Sequence, residues 1–332
     1  MLKTNLTRRA AMGRTIAALA TSIALAGPAF AAEYTLSINT ALATSDPLYK
    51  GLEALQANIA DASGGRLEIN LFPNSQLGPD EDVLEQARAG APVAVVVDGG
   101  RLAVFQNEFG VLGAPFLASG YDGIRKVVTS DMFEGWVDDL NAGSGLQVLS
   151  FNWWQGERHL LTNKAITGPA DLDGIRMRTP GAPVWMGTIK AMGATPTPLP
   201  WAEVYSALSS NVIDGAEAQF PAITGAKLNE VISHVTKTGH INLITGVVTS
   251  GGWFNSLPED LQVILRDETL KAGDIASYGT QDALAGIEAD LVAGGVTVSE
   301  VDIEPFKAAT AVVYDDLGYG ELRDVLRAMA AE

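Results

Sequence analysis

Apolar residues follow two different spacings along this chain. The segment YTLSIN (34–39) alternates apolar and polar positions, which is typical of a half-buried strand, whereas the apolar residues of 48–59 recur every three or four positions, as on one helix face. The segments that follow are a strand RLEINLF, a polar helix from Asp80 to Arg88, a strand PVAVVVD and a strand GLQVLSFNWW. This order predicts parallel strands flanked by helices.

The same pattern returns from Ile175 onward. It predicts a strand IRMRT, a helix from Pro183 to about Met192, a helix WAEVYSALSS, a strand DGAEAQ and an extended HINLITGVVTS. No repeat of fixed period and no Gly/Ser-rich linker separates the two halves. The pattern therefore predicts a second α/β lobe that is joined to the first through strands.

A long helix is predicted near the C-terminal end. Ser256 and Glu259 have the spacing of a capping box, and the apolar periodicity continues to residue 294. About 37 helical residues would span about 55 Å, which is long enough to brace two lobes. The alternative is two helices broken near Gly279 or Gly286, because each glycine weakens a helix by about 1 kcal/mol.

The first 31 residues have the features of an export signal. Four basic residues precede the uncharged run TIAALATSIALAG, and Ala29-Phe30-Ala31 has the small-x-small pattern that predicts cleavage after Ala31. The run is shorter than the roughly 20 residues that a bilayer requires, so we expect no direct membrane insertion. The protein is expected in the periplasm, and the pair Arg8-Arg9 also allows a twin-arginine export route.

Charge narrows the classes of partner. The chain carries 22 basic and 39 acidic residues, and loss of residues 1–31 removes four basic and no acidic ones, which leaves a net charge of −21. Such a surface repels nucleic acid and anionic lipid, so we expect neither as a partner. The chain has no cysteine, which excludes disulfides, thiolate nucleophiles and cysteine metal sites.

Motifs for catalysis and cofactors are absent from the sequence. There is no phosphate-binding loop of the Walker type, no G-x-S-x-G, no H-E-x-x-H and no calcium-binding D-x-D-x-D-G, so we predict no catalytic residue, no metal and no cofactor. The acidic residues 80–82 are interpreted as the start of a helix, where carboxylates favour the dipole. A secreted hydrolase or lyase with paired carboxylates and a receptor for an uncharged sugar stay open as alternatives.

Aromatic and cationic residues concentrate in one third of the chain. They are Trp153, Trp154, Arg158, Arg176, Arg178, Trp185 and Trp201. Indole faces pack on a small ligand and guanidinium groups bind a carboxylate through paired hydrogen bonds, so the set suits a small organic anion.

Several of these residues also have ordinary structural interpretations. Trp153 and Trp154 would point to opposite faces of a strand, so at least one belongs to the core. Trp185 also fits a helix core, and Arg176 fits a solvated surface. Arg178 lies just before Pro180, which places it at a strand tip, where ligands of open α/β sheets bind; a surface ion pair is its alternative.

Four ordered blocks resemble a known family. LFPNSQLGPDEDVLEQARAG, RMRTPGAPVW, MGATPTPLPWAEVYSAL and NVIDGAEAQ are similar, in order and spacing, to the solute receptors of TRAP (tripartite ATP-independent periplasmic) transporters. The resemblance extends from about Tyr34 to the C-terminal helices. It implies two α/β lobes of the type II periplasmic binding class, crossing strands, a long bracing helix and a ligand held between the lobes.

The resemblance also implies roles for individual residues. Arg178 would form the principal salt bridge to the ligand carboxylate, and Arg158 would assist it. Trp201 would place an aromatic ring against the ligand, and Asp98 would contact its polar groups. Trp154 is retained as a further candidate contact.

One block departs from the family pattern. Where many members have D-G-x-E-N, this chain has an alanine at position 218, so an amide that commonly holds the ligand is missing and Gln219 is the candidate replacement. The departure argues against sialic acid and simple dicarboxylates. It leaves hydroxy acids, sugar acids and organosulfonates open.

Taken together, these observations predict a receptor and not an enzyme. It would close two lobes over a small organic anion and deliver it to membrane permease subunits that an ion gradient drives. The predicted first lobe comprises 32–155 and about 244–283, and the predicted second lobe comprises 156–243 and about 284–332.

Overall fold

Residues 32–331 are described by a computed structural model, and the predicted export signal at 1–31 lies outside these residues. The strands are β1 (Tyr34–Asn39), β2 (Leu67–Phe72), β3 (Val93–Asp98), β4 (Leu146–Thr162), β5 (Arg176–Thr179), β6 (Thr195–Pro198), β7 (Gly215–Ala218), β8 (His234–Ser250) and β9 (Thr297–Glu300). The helices are α1 (Pro47–Ala62), α2 (Asp80–Arg88), α3 (Gly99–Leu102), α4 (Tyr121–Val128), α5 (Asp131–Ser144), α6 (Pro183–Ala191), α7 (Val204–Ser209), α8 (Phe220–Gly225), α9 (Gly251–Ser256), α10 (Glu259–Ala293), α11 (Glu304–Thr310), α12 (Val312–Asp316) and α13 (Gly320–Ala331).

Strands β4 and β8 run through both lobes. They are 17 residues long each and pair antiparallel, from Leu146 opposite Ser250 to Thr162 opposite His234. At the first end they complete a sheet of order β2-β1-β3-β8-β4, and at the second end they belong to a sheet of order β9-β8-β4-β7-β5-β6. The predicted mixed α/β architecture with crossing strands is confirmed.

The crossing strands change register where they pass between the lobes. One shift falls between Trp154 and Gly156 on β4. Gly156 has a φ of 102°, in the left-handed region that favours glycine because a side chain there would clash with the backbone. Both strands are mostly buried although each carries several polar residues, so the polar side chains of the crossing strands need partners inside the protein.

Helix α10 is a single element of 35 residues, about 52 Å long. It packs on α1 of the first lobe and on α8 and β9 of the second, so it braces both lobes as predicted. The alternative of a break near Gly279 or Gly286 is therefore wrong. The predicted capping box is also wrong, because Ser256 ends helix α9 and its hydroxyl donates to the carbonyl of Trp253, while Pro258 occupies the N-cap of α10.

Close packing and one half-buried carboxylate hold α10 in place. A Cβ atom on Gly51 of α1 would lie 2.4 Å from the Cβ of Ala276, so glycine is needed where the two helices meet. Asp274 accepts hydrogen bonds from Arg125 Nε at 2.7 Å and from Asn152 Nδ2 at 2.8 Å, which links α10 to α4 and β4. The α10 position is thus coupled to the first lobe and to a crossing strand.

Two glycines of α10 provide a matched test of this packing. We expect Gly273→Ala to lower the free energy of unfolding by about 1–3 kcal/mol, because its Cβ would lie 2.4 Å from Oδ1 of the buried, hydrogen-bonded Asn152. A Cβ atom at Gly279 would have no neighbouring atom within 4 Å, so we expect Gly279→Ala to raise the free energy of unfolding by up to about 1 kcal/mol. Urea unfolding of residues 32–332 measures both changes, and equal shifts in the two variants would contradict the packing.

Candidate functional site

A cavity of about 60 Å³ lies where the two lobes face each other across the crossing strands. Its lining from the first lobe is Thr40, Ala41, Leu42, Asp80, Val96, Asp98 and Arg101. Its lining from the crossing strands is Gln155, Arg158, Leu243 and Thr245. Its lining from the second lobe is Arg178, Pro180, Trp185, Trp201, Gln219 and Ala222.

Arg178 is buried in the cavity wall at the carboxyl end of β5, and only 1% of the residue is exposed. Its Nε and Nη2 atoms donate to the carbonyl oxygen of Leu199 at 3.0 and 2.8 Å, and its guanidinium carbon lies 5.2 Å from the ring centre of Trp201. Within residues 32–331 no carboxylate pairs with it. Burial, and then the positive charge of Arg158, lower the pKa of Arg178 to about 9. The guanidinium is thus oriented but its charge is not neutralised.

Arg158 projects from β4 and is fully paired by protein groups. Its Nε donates to the Glu217 carboxylate, its Nη2 to the Glu217 carbonyl and its Nη1 to Gln219 Oε1 at 3.1 Å. Burial alone would raise the pKa of Glu217, but Arg158, with His240 nearby, holds that pKa at about 2. The guanidinium also lies 4.6 Å from the ring centre of Trp185. Its charge is therefore already compensated.

The first-lobe side of the cavity is acidic around one arginine. Asp98 ends β3, accepts a hydrogen bond from the backbone N–H of Arg101 at 3.1 Å and forms an ion pair with its guanidinium. Arg101 also contacts Glu81 at 2.8 Å and Asp80 at 3.5 Å. Burial raises the pKa of Asp80 to about 6, and its Oδ1 atom has no hydrogen-bond partner among the described residues.

Neutral polar groups connect the two sides. Gln219 Nε2 donates to Gln155 Oε1 at 2.6 Å, and Gln155 Nε2 donates to Thr245 Oγ1 at 3.2 Å. The Thr245 hydroxyl in turn donates to the Trp153 carbonyl at 2.6 Å. Gln219 thus lines the cavity, whereas Ala218, at the position of the missing amide, is buried in β7.

Five of the six residues predicted for the site lie together around the cavity. They are Arg178, Arg158, Trp201, Asp98 and Gln219. Trp154 does not reach it, because its side chain is packed in the apolar core with its Nε1 donating to Asn242 Oδ1 at 2.6 Å. Strand alternation sends Trp153 into the opposite core, so both tryptophans are core residues. Arg176 is exposed and paired with Asp214 at 2.8 Å, as the surface interpretation predicts.

Sequence reasoning missed three conspicuous lining residues, Asp80, Arg101 and Gln155. Asp80 was interpreted only as a helix start, which it is. Trp185 belonged to the aromatic and cationic set, with a helix core as its alternative, and it is a core residue that also lines the cavity. Arg101 and Gln155 carried no signal of their own. Their positions in the chain were the available signal. Arg101 lies three residues after Asp98, which ends β3, and Gln155 lies three residues before Arg158 on the crossing strand β4.

The fold and the cavity define a class, the two-lobed solute-binding receptors. Residues 38–320 match the family described as bacterial extracellular solute-binding protein, family 7, and the chain belongs to this family, which is that of the TRAP receptors. Such receptors are periplasmic, bind small organic anions and work with membrane permease subunits. No helix of residues 32–331 is long and apolar enough to cross a bilayer.

Individual relatives show how far the similarity extends. The sialic acid-binding periplasmic protein SiaP of Vibrio cholerae is 26% identical over 283 residues, which cover 85% of this chain and 88% of that protein. A TRAP solute-binding protein of Escherichia fergusonii, in an apo open structure, is 43% identical with a TM-score of 0.78, covering 89% of this chain and 99% of that one. One of Actinobacillus succinogenes with bound L-galactonate is 28% identical with a TM-score of 0.87, covering 90% and 99%.

The raised pKa of Asp80 predicts a pH-dependent stability. A carboxyl whose pKa rises from 3.8 to about 6 on folding costs stability progressively as the pH rises between those values, and the full cost persists above them. We expect Asp80→Asn to raise the free energy of unfolding by roughly 1–3 kcal/mol at pH 8 and to have no such effect near pH 4. Urea unfolding at both pH values measures the difference.

A control for this prediction lies on the same helix turn. Asp82 is exposed, so Asp82→Asn removes a carboxyl from the same turn without replacing a buried group. Equal changes in the free energy of unfolding for Asp80→Asn at pH 4 and pH 8 would show that burial does not raise the pKa of the Asp80 carboxyl.

Proposed function

We propose that this protein captures a small organic anion between its two lobes and delivers it to the permease of a TRAP transporter, which an ion gradient drives. The observation that carries the proposal is Arg178, a buried guanidinium in the inter-lobe cavity with no carboxylate partner within 32–331. A buried charge needs a compensating one. The carboxylate of a ligand is the group that would supply it.

The remaining charges of the cavity support a site for one anionic group. Arg158 is neutralised by Glu217, and Arg101 is neutralised by Asp98. Arg178 is left with two guanidinium nitrogens held by Leu199 and its Nη1 without a bond to any described residue. A planar carboxylate or sulfonate would accept hydrogen bonds from this group.

Comparison of the relatives supports a closed arrangement of the lobes. The relative with bound L-galactonate superposes better than the apo open relative, although its sequence is less similar. Trp185, on α6 of the second lobe, fits against Gly100 of the first, where a Cβ atom would lie 2.2 Å from the indole Nε1. The described arrangement thus resembles that of a ligand-bound receptor.

The lobe boundaries follow from the same proposal. We place them where Trp154 of β4 pairs with Ile244 of β8, so that 32–155 and about 244–283 form the first lobe, and 156–243 and about 284–332 the second. Helix α13 packs on α4, so the last residues also contact the first lobe. An export signal at 1–31, removed in the periplasm, completes the proposed organisation.

Arg178→Lys tests the role of the guanidinium. A panel of carboxylates, sulfonates and neutral sugars is first screened by thermal shift, and the best stabiliser is then titrated by calorimetry. We expect Arg178→Lys to weaken its binding at least about tenfold, because lysine keeps the charge but loses the fork that binds two oxygens. Arg176→Lys, two residues away on the exposed side of β5, is the matched control and should bind normally.

The rival functions predict different results. A hydrolase or lyase would convert the stabilising compound into a product, which mass spectrometry of the titrated sample would detect. A receptor for an uncharged sugar would be stabilised by a neutral compound and would bind it equally well after Arg178→Lys. Either result would contradict the proposal that this protein is a receptor for an organic anion.

A further inference from the structure

We propose that the receptor selects a short acid with a single negative charge and a hydroxyl group, and that the indole of Trp185 sets the upper limit on ligand length. The inference rests on the proposed function and narrows its ligand class. It depends on the size of the cavity, on the position of Trp185 and on the charges that face the ligand.

The cavity is small for a sugar acid. A volume of about 60 Å³ is less than half of the roughly 150 Å³ of a cavity that accommodates benzene. That space suits an acid of about two to four carbons. The relatives named above are described with larger ligands, L-galactonate and sialic acid.

Trp185 forms one wall of this space and is held on two sides. Only 1% of the residue is exposed. One face lies 4.6 Å from the guanidinium carbon of Arg158, which is itself fixed by its bonds to Glu217. The indole edge lies against first-lobe glycines, because Cβ atoms at Gly100 and Gly113 would lie 2.2 and 2.8 Å from Nε1. The ring therefore has little freedom to move aside for a longer ligand.

The charges around the cavity fit one anionic group and disfavour a second. Of the three arginines that line the cavity, Arg178 is the one without a carboxylate partner among residues 32–331. The opposite lobe presents Asp80 and Asp98, and the lining cation of that lobe, Arg101, already pairs with both, so no cation is left there for the far carboxylate of a diacid. The buried Oδ1 of Asp80 has no partner among the described residues and can accept a hydrogen bond from a ligand hydroxyl.

Calorimetry with four acids tests the selectivity. The probes are (S)-lactate, D-glycerate, succinate and L-galactonate, titrated into residues 32–332 that have been unfolded and refolded to remove any retained metabolite. We expect lactate or glycerate to bind, and both succinate and L-galactonate to bind at least about tenfold more weakly than the better of these two.

Variants at position 185 test the cause of the length limit. We expect Trp185→Ala to improve the affinity for L-galactonate relative to D-glycerate at least about tenfold. Trp185→Phe, which keeps an aromatic ring in the core, should shift this ratio in the same direction by less and covers the case in which the alanine variant does not fold. Trp136→Ala removes a buried tryptophan that does not line the cavity, so it should lower the melting temperature and leave the ratio unchanged.

Contradictory outcomes separate this inference from the proposed function. If wild-type protein binds L-galactonate or succinate as tightly as the short acids, or if Trp185 variants weaken all anions equally, the length limit is overturned and the receptor function stands. If none of the four acids binds but native mass spectrometry shows a larger retained anion, the same conclusion holds. A retained neutral compound, or product formation, would overturn the proposed function as well.

Discussion

A buried guanidinium without a carboxylate partner in 32–331 is the constraint on which the site depends. Removing a charge from water is unfavourable unless an opposite charge or strong hydrogen bonds replace the solvent. For Arg178 the carbonyl of Leu199 and the ring of Trp201 satisfy part of the group and hold its orientation. They do not neutralise it. On the proposed function, an anionic ligand would supply the missing charge, and the other two cavity arginines cannot replace Arg178 because each is already paired with a carboxylate.

The architecture explains why such a site forms between lobes. Strands β4 and β8 belong to both sheets, so residues near their crossing, such as Gln155, Arg158 and Thr245, face the gap between the lobes. Strand β5 ends at the same place because Pro180 cannot continue its hydrogen bonds. Helix α10 packs on both lobes from outside and limits how they can move. Cations from the second lobe and acids from the first are thereby brought to one cavity.

Most of the fold was predictable from the sequence because its strands and helices carry strong local periodicity. The boundaries of β1, α2 and β7 agree with the patterns to within a residue or two, and α10 is continuous because Gly279 is exposed and nothing depends on a bend there. The site was only partly predictable. Arg178 was marked by the proline that follows it, but the pairing of Arg158 with Glu217 joins residues 59 positions apart. Local patterns contain no information on such a contact.

On the proposed function, charge also couples binding to closure. The mature chain is strongly acidic, so its distant surface field opposes an approaching anion, but salt screens that field beyond about 8–10 Å. In the closed cavity the ligand contacts Arg178 where little water remains, so the attraction there is stronger than the screened repulsion. Without an anion, closure would leave Arg178 buried and uncompensated. The ligand therefore stabilises the closed arrangement more than the open one, and this difference in affinity is what shifts the population towards closure.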